Sequence, residues 1–190
     1  MNAGGKLIAD QFDEATVLFS DLVGFTEMSN QMNATQVVQD LNHLFSSFNS
    51  IAKEFGVEKV KAMSDAYMVI AGVPDPMPNH MEACADMALG MVQALEDINP
   101  TVSAPFEIRI GLHTGPVAAG TIGQHKCVYD VWGPTVNHAS RYESYSQPGH
   151  VHISEQLARP LMDTFDCESR GVMHMRSIGE VETFFLKGRR

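Results

Sequence analysis

The run Glu14 to Val23, EATVLFSDLV, concentrates β-forming residues and reads as a buried strand ending beside an aspartate. After a turn at Gly24-Phe25-Thr26 the apolar period changes from two to between three and four. Val37, Val38, Leu41, Leu44, Phe45, Phe48, Ile51 and Phe55 follow that spacing, which predicts an amphipathic helix from Ala34 to Phe55. Gly56 supplies its stop. Val57–Met63 and Tyr67–Ala71 then read as two strands joined tightly around Ser64-Asp65, a hairpin.

Pro74, Pro76 and Pro78 mark a loop before a second helix, predicted from about Asn79 to Leu95. Phe106–His113 reads as a strand, and the Gly/Ala-rich stretch Gly115–Gly123 as a further short strand and its turn. A third helix is predicted from Pro134 to about Ser144, since proline suits a first helical turn. A strand near His150–Ile153, a short helix at Glu155–Leu161 and a mostly β tail up to Phe184-Phe185-Leu186 follow. The order strand, helix, hairpin, helix, strand is that of an α+β, ferredoxin-like sandwich, here with a C-terminal β-rich extension. Residues 1–13 read as a short lead-in and 14–190 as one domain without internal repeats, long enough to bury a core unaided.

The charge narrows the function. A net charge of -10 with a pI near 5.1 argues against a nucleic-acid binder, and a polyanionic ligand would have to be held by local cations. Cys84, Cys127 and Cys167 are scattered without CxxC spacing, which fits reduced thiols in a cytoplasmic setting. No apolar run approaches the roughly 18–20 residues of a membrane-spanning helix. The abrupt start suggests a domain cut from a longer parent. Among the eight histidines no HExxH spacing occurs, and His150 and His152, alternating along a predicted strand, read as a solvated face.

Asp21 closes the first strand and Asp65 sits in the hairpin turn, so neighbouring strands would bring both carboxylates to one point at the sheet edge. Two hard oxygen ligands with open positions suit Mg²⁺ or Mn²⁺ carrying a nucleotide triphosphate. A lone aspartate at such a place would more often cap its turn. Asn137 and Arg141, four apart on the predicted third helix, share a face. For Arg141 the competing reading is a surface ion pair with Glu143 or Glu155.

Four stretches, FSDLVGFT (19–26), KVKAMSDAY (59–67), YDVWG (129–133) and VNHASR (136–141), resemble, in order, the signatures of class III adenylyl and guanylyl cyclases. The similarity runs from about Ala15 to Leu186. It implies that Asp21 and Asp65, with Leu22 beside them, hold two Mg²⁺ or Mn²⁺ ions per active site. The backbone around Leu22, Val23, Gly24, Phe25 and Thr26 would cradle phosphates. Asn137 would orient the ribose and Arg141 would stabilise charge at the α-phosphate. The family's usual lysine in its C-terminal turn aligns with Arg176, in the sequence Met175-Arg176-Ser177-Ile178-Gly179.

The resemblance also implies the base. Adenylyl cyclases place a lysine and an aspartate where this chain has Lys61 and Asp130, whereas guanylyl cyclases place glutamate and cysteine. The pair implies ATP as substrate and 3′,5′-cyclic AMP as product. The rest of the chain is similar to the cyclase domain of fungal rhodopsin–guanylyl cyclases, which makes GTP the second reading. In the family the metal aspartates come from one subunit and the purine pair, Asn and Arg from the other. A head-to-tail homodimer is therefore expected, with Val117, Ala118, Ile122, Val128 and Trp132 in an arm that either joins the subunits or fills the core. The parent would carry a sensor or membrane domain upstream. A regulatory domain without catalysis would lack one of these site residues, and a diguanylate cyclase would need a Gly-Gly-(Asp/Glu)-Glu-Phe turn where Met63-Ser64-Asp65-Ala66-Tyr67 stands.

Overall fold

The computed structural model describes residues 8–122 and 128–190. Strand β1 (Ile8–Leu22) starts well before Glu14, because its first part pairs with the far half of β4 (Ile108–Ile122). The pairing runs from Ile8↔Thr121 to Phe12↔Val117, shifts at a bulge, and resumes from Ala15↔Gly115 to Leu22↔Ile108. Where the patterning predicts two strands split near Thr114-Gly115, there is one strand. Gly115, at φ 156°, lets β4 continue past Thr135, whose Oγ1 would lie 2.8 Å from a Cβ placed there.

Helix α1 (Phe25–Gln31) occupies the predicted turn. Helix α2 (Ala34–Phe55) has the predicted bounds, capped by the Asn33 side chain accepting from the Thr35 amide and ended by Gly56 at φ 69°. The hairpin β2 (Glu58–Met63) and β3 (Ala66–Ala71) follows, then α3 (His80–Ile98), which runs past Leu95 on a continuing apolar face. Strand β5 (Val128–Trp132) lies off the main strand order and pairs with β4, as an arm. Helix α4 (Pro134–Ser144), β6 (Val151–Ser154), α5 (Glu155–Leu161) and the hairpin β7 (Phe165–Met175) and β8 (Gly179–Arg189) complete the chain.

The sheet order is β2-β3-β1-β4-β6-β8-β7. Its first four strands are antiparallel neighbours in the ferredoxin-like order, and the last three form the β-rich extension. Alternation splits the strands between two cores. Leu18, Val69, Ile110 and Leu112 face α2 and α3, burying Leu44, Phe48, Met87 and Met91. On the opposite face Val17, Met68 and Ile70 pack under the arm and α4, against Val117, Ala119, Val131 and Ala139. Val117 is thus core within one chain, while Ala118 and Trp132 stay half-buried. The side chains of Ile122 and Val128, and Cys127, lie outside the described residues.

A further expectation is overturned. Strand β6 lies inside the sheet, so His152 is fully buried rather than solvated, and only His150 keeps partial exposure. Alternation does not separate polar from apolar on a strand covered on both faces.

Candidate active site

The site begins at the end of β1. Asp21 stands opposite Ala66 of β3, and Asp65 immediately precedes Ala66 in the hairpin turn, so the ladder sets the two acids side by side. Burial pushes the Asp21 carboxyl above the usual range, and the Asp65 charge pushes it further. Arg109, opposite Asp21 on β4, acts against that rise: its Nη2 donates to Asp21 Oδ2 at 3.1 Å. The Nε of the same guanidinium donates to Glu143 Oε1 at 3.0 Å, where α4 ends over the sheet.

Arg109 and Glu143 adjoin the candidate site through these bonds, and the patterning does not single them out for it. The available signal is Arg109 itself, a charge between Ile108 and Ile110 on a strand whose neighbours are buried. Glu143 and Glu155 are taken by Arg109 and Arg159, and among the described residues no ion pair reaches Arg141.

Among the described residues no three His, Cys, Asp or Glu side chains form a ready-made metal cage. The two aspartates nevertheless fit a divalent cation. They are oxygen donors, and the charge of one raises the proton affinity of the other, an imbalance that a cation between them relieves. The neighbouring backbone is partly committed. Leu22 pairs with Ile108, and the Val23 amide donates to Glu107 O at 2.8 Å, so Val23 does not offer its N–H to a phosphate. Gly24 takes the left-handed conformation, φ 66°, and leads into the first turn of α1, where Phe25 and Thr26 come before any intrahelical partner for their amides. Phe25 is buried and Thr26 exposed.

Lys61 and Asp130 meet directly. Lys61 Nζ donates to Asp130 Oδ1 at 3.0 Å and Oδ2 at 2.9 Å, and Asp130 Oδ1 also accepts from the Val131 amide at 2.9 Å. They come from distant places in the sequence. A bulge between Lys59 and Lys61 pairs Lys61 with Met68 and turns it to the face that the arm covers, where β5 presents Asp130.

Asn137 and Arg141 lie together on α4 and line a cleft of about 430 Å³ with Pro134, His138, Ser140 and Ser177. Ser177 belongs to the β7–β8 turn, so the turn that carries Arg176 reaches the same cleft. Arg176 sits in that turn rather than on a strand, and its backbone N–H donates to Tyr145 Oη at 3.2 Å.

A Lys–Asp ion pair, two neighbouring aspartates and an arginine-lined cleft on one ferredoxin-like sheet suit the handling of a nucleotide and its cations. Residues 7–188 match the model of the adenylate and guanylate cyclase catalytic domain, and the chain belongs to that family. An adenylate cyclase of Mycobacterium bovis is 40% identical over 185 residues, covering 97% of this chain and 42% of the relative. The guanylate cyclase soluble subunit beta-2 of Rattus norvegicus is 40% identical over 188 residues, covering 98% of this chain and 28% of the relative. The chain thus spans less than half of the length of these relatives. Among solved structures, the catalytic core of a rhodopsin-guanylyl cyclase with converted specificity, in complex with ATPalphaS, superposes with a TM-score of 0.90 at 34% identity, covering 95% of this chain and 98% of that one. No helix among the described residues is long and apolar enough to cross a membrane.

Proposed function

We propose that this chain converts ATP to 3′,5′-cyclic AMP and pyrophosphate, at sites shared between the two subunits of a homodimer. The observation that carries the choice of base is the Lys61–Asp130 pair. The ammonium donates to adenine N1 and the carboxylate accepts from the N6 amine. Guanine in the same pose would turn its N1–H toward Lys61 and its O6 toward Asp130, donor against donor and acceptor against acceptor. Each such mismatch costs about 1–3 kcal/mol once the bound base shuts water out of the half-buried pair.

Asp21 and Asp65, with Leu22 alongside, would hold two Mg²⁺ or Mn²⁺ ions. Bound there, they would supply Lewis acidity at the ribose 3′-OH and at the phosphates. The remaining work falls to the protein's own side chains. Asn137 orients the ribose, and Arg141, which makes no ion pair among the described residues, neutralises charge developing at the α-phosphate. Arg109 brings a fixed fork of donors beside the metal carboxylates, and Arg176 brings a cation to the terminal phosphates. Together these cations give a chain of net charge -10 a local site for a polyanion. A longer parent with an upstream sensor or membrane domain fits a chain that spans so little of its relatives.

The test is cyclic nucleotide production from ATP and GTP in parallel, with Mn²⁺. Cyclic AMP in excess is the expected result. Cyclic GMP in excess overturns the base assignment, and no product from either nucleotide overturns the catalytic reading.

A further inference from the structure

We propose that Tyr145 is a positioning residue that holds the Arg176 turn over the α4 cleft, which rests on the reading of Arg176 as the cation for the terminal phosphates. Tyr145 is the residue that ends α4, and its polar groups bond in three directions. Its N–H donates to Arg141 O at 3.0 Å, closing the helix onto the residue placed at the α-phosphate. Its carbonyl accepts from Arg170 Nη1 on β7 at 2.9 Å. Its hydroxyl oxygen accepts the Arg176 N–H at 3.2 Å.

The turn needs such an anchor. Strands β7 and β8 are at the end of the sheet, with β7 as the edge, so their tip is held by the ladder on one side only. The turn closes on itself, Ile178 N–H donating to Met175 O at 3.1 Å, with Ser177 at φ 70°. That closure leaves the Arg176 N–H outside its own hydrogen bond, and the Tyr145 hydroxyl takes it. Among the described residues, this is the hydrogen bond that ties the turn to α4.

The base of the hairpin is fixed from the same residue. Arg170 also bonds His152 Nε2 at 3.1 Å and lies 4.2 Å from the Phe185 ring centroid, so β7 is clamped to β6, β8 and the end of α4. Tyr145 thereby sets the distance between Arg141 and Arg176, the cations read as acting at opposite ends of one triphosphate. A side chain that merely filled space would need no hydroxyl here.

The test is binding of inorganic tripolyphosphate with Mn²⁺, measured by calorimetry on wild type, Tyr145→Phe, Arg176→Gln and the double variant. Tyr145→Phe keeps the ring and the backbone contacts and removes only the hydroxyl. Its affinity for tripolyphosphate should fall about three- to ten-fold, the scale of one hydrogen bond. Adenosine, which lacks phosphates, should bind unchanged. In the Arg176→Gln background the second substitution should add nothing, because the anchor then has no cation to place. Unchanged tripolyphosphate affinity in Tyr145→Phe, an equal loss for adenosine, or fully additive losses would each overturn the proposal. An Arg176→Gln variant that binds tripolyphosphate like wild type would overturn it as well. These readouts do not need turnover, so failure of the cyclase reading, seen as absent cyclic nucleotide, remains separate.

Discussion

His152 shows how much a single residue's surroundings decide. Its Nδ1 lies 2.7 Å from Tyr142 O, which only accepts, and its Nε2 lies 3.1 Å from Arg170, which only donates. Both nitrogens are satisfied only in the neutral form with the proton on Nδ1. Burial accordingly drives its pKa down to about 4, and that of His113, whose Nδ1 has no partner among the described residues, to about 4 as well. Between pH 6.5 and 4 the unfolded chain takes up protons at these positions and the fold does not, so stability falls as pH is lowered through that window. Each group contributes ~3 kcal/mol over the full interval. The raised carboxyls of Asp21 and Glu143 act in the opposite sense, protonating first in the fold. The histidine effect is therefore read by difference: the urea midpoint of His152→Gln should drop less between pH 6.5 and 5 than that of wild type. Parallel slopes would remove the neutral-tautomer assignment.

At the scale of elements, the contact of α4 with β4 places Asn137, Arg141 and Glu143 of the candidate site. A Cβ on Gly111 would lie 1.9 Å from the Glu143 backbone N, so the helix sits against bare strand backbone. That close approach lets Glu143 reach Arg109 and stacks His113 on Tyr142, with ring centroids 5.7 Å apart. Gly111→Ala cannot be absorbed by a side-chain rotation, because the obstacle is backbone. We expect a loss of about 1–3 kcal/mol of stability. A fall in kcat of ten-fold or more should accompany it, since Asn137, Arg141 and Glu143 shift together. Gly188→Ala meets nothing within 4 Å and serves as the control. Thermal unfolding and steady-state kinetics on both variants check this, and a fully active Gly111→Ala would show that α4 need not sit so close.

For the whole molecule, the proposed sharing of the site between subunits would make activity a property of the dimer. Asp21→Ala and Arg141→Ala should each be inactive alone, because every site then lacks either a metal ligand or the α-phosphate cation. Mixed in equal amounts, about half of the dimers are hybrids with one intact site of two, so about a quarter of wild-type activity should return. Specific activity should also rise with protein concentration. A mixture that stays inactive while both variants dimerise would place the whole site within one chain.

Much of the fold was legible because α2 obeys a helical period between clear stops, Asn33 and Gly56, and because the βαββαβ order has few packing solutions. Asp21, Asp65, Asn137 and Arg141 could be singled out because strand ends, tight turns and helix faces are local features of a chain. Local pattern was therefore enough to give the elements, the family and the candidate chemistry. The tertiary structure alone decided that Lys61 finds Asp130, that Arg109 bridges Asp21 and Glu143, that His152 is buried and that Tyr145 meets the Arg176 turn. Each of these depends on pairing register, a bulge or the seating of a helix on a sheet, which bring together residues far apart in the chain and leave no periodicity in it.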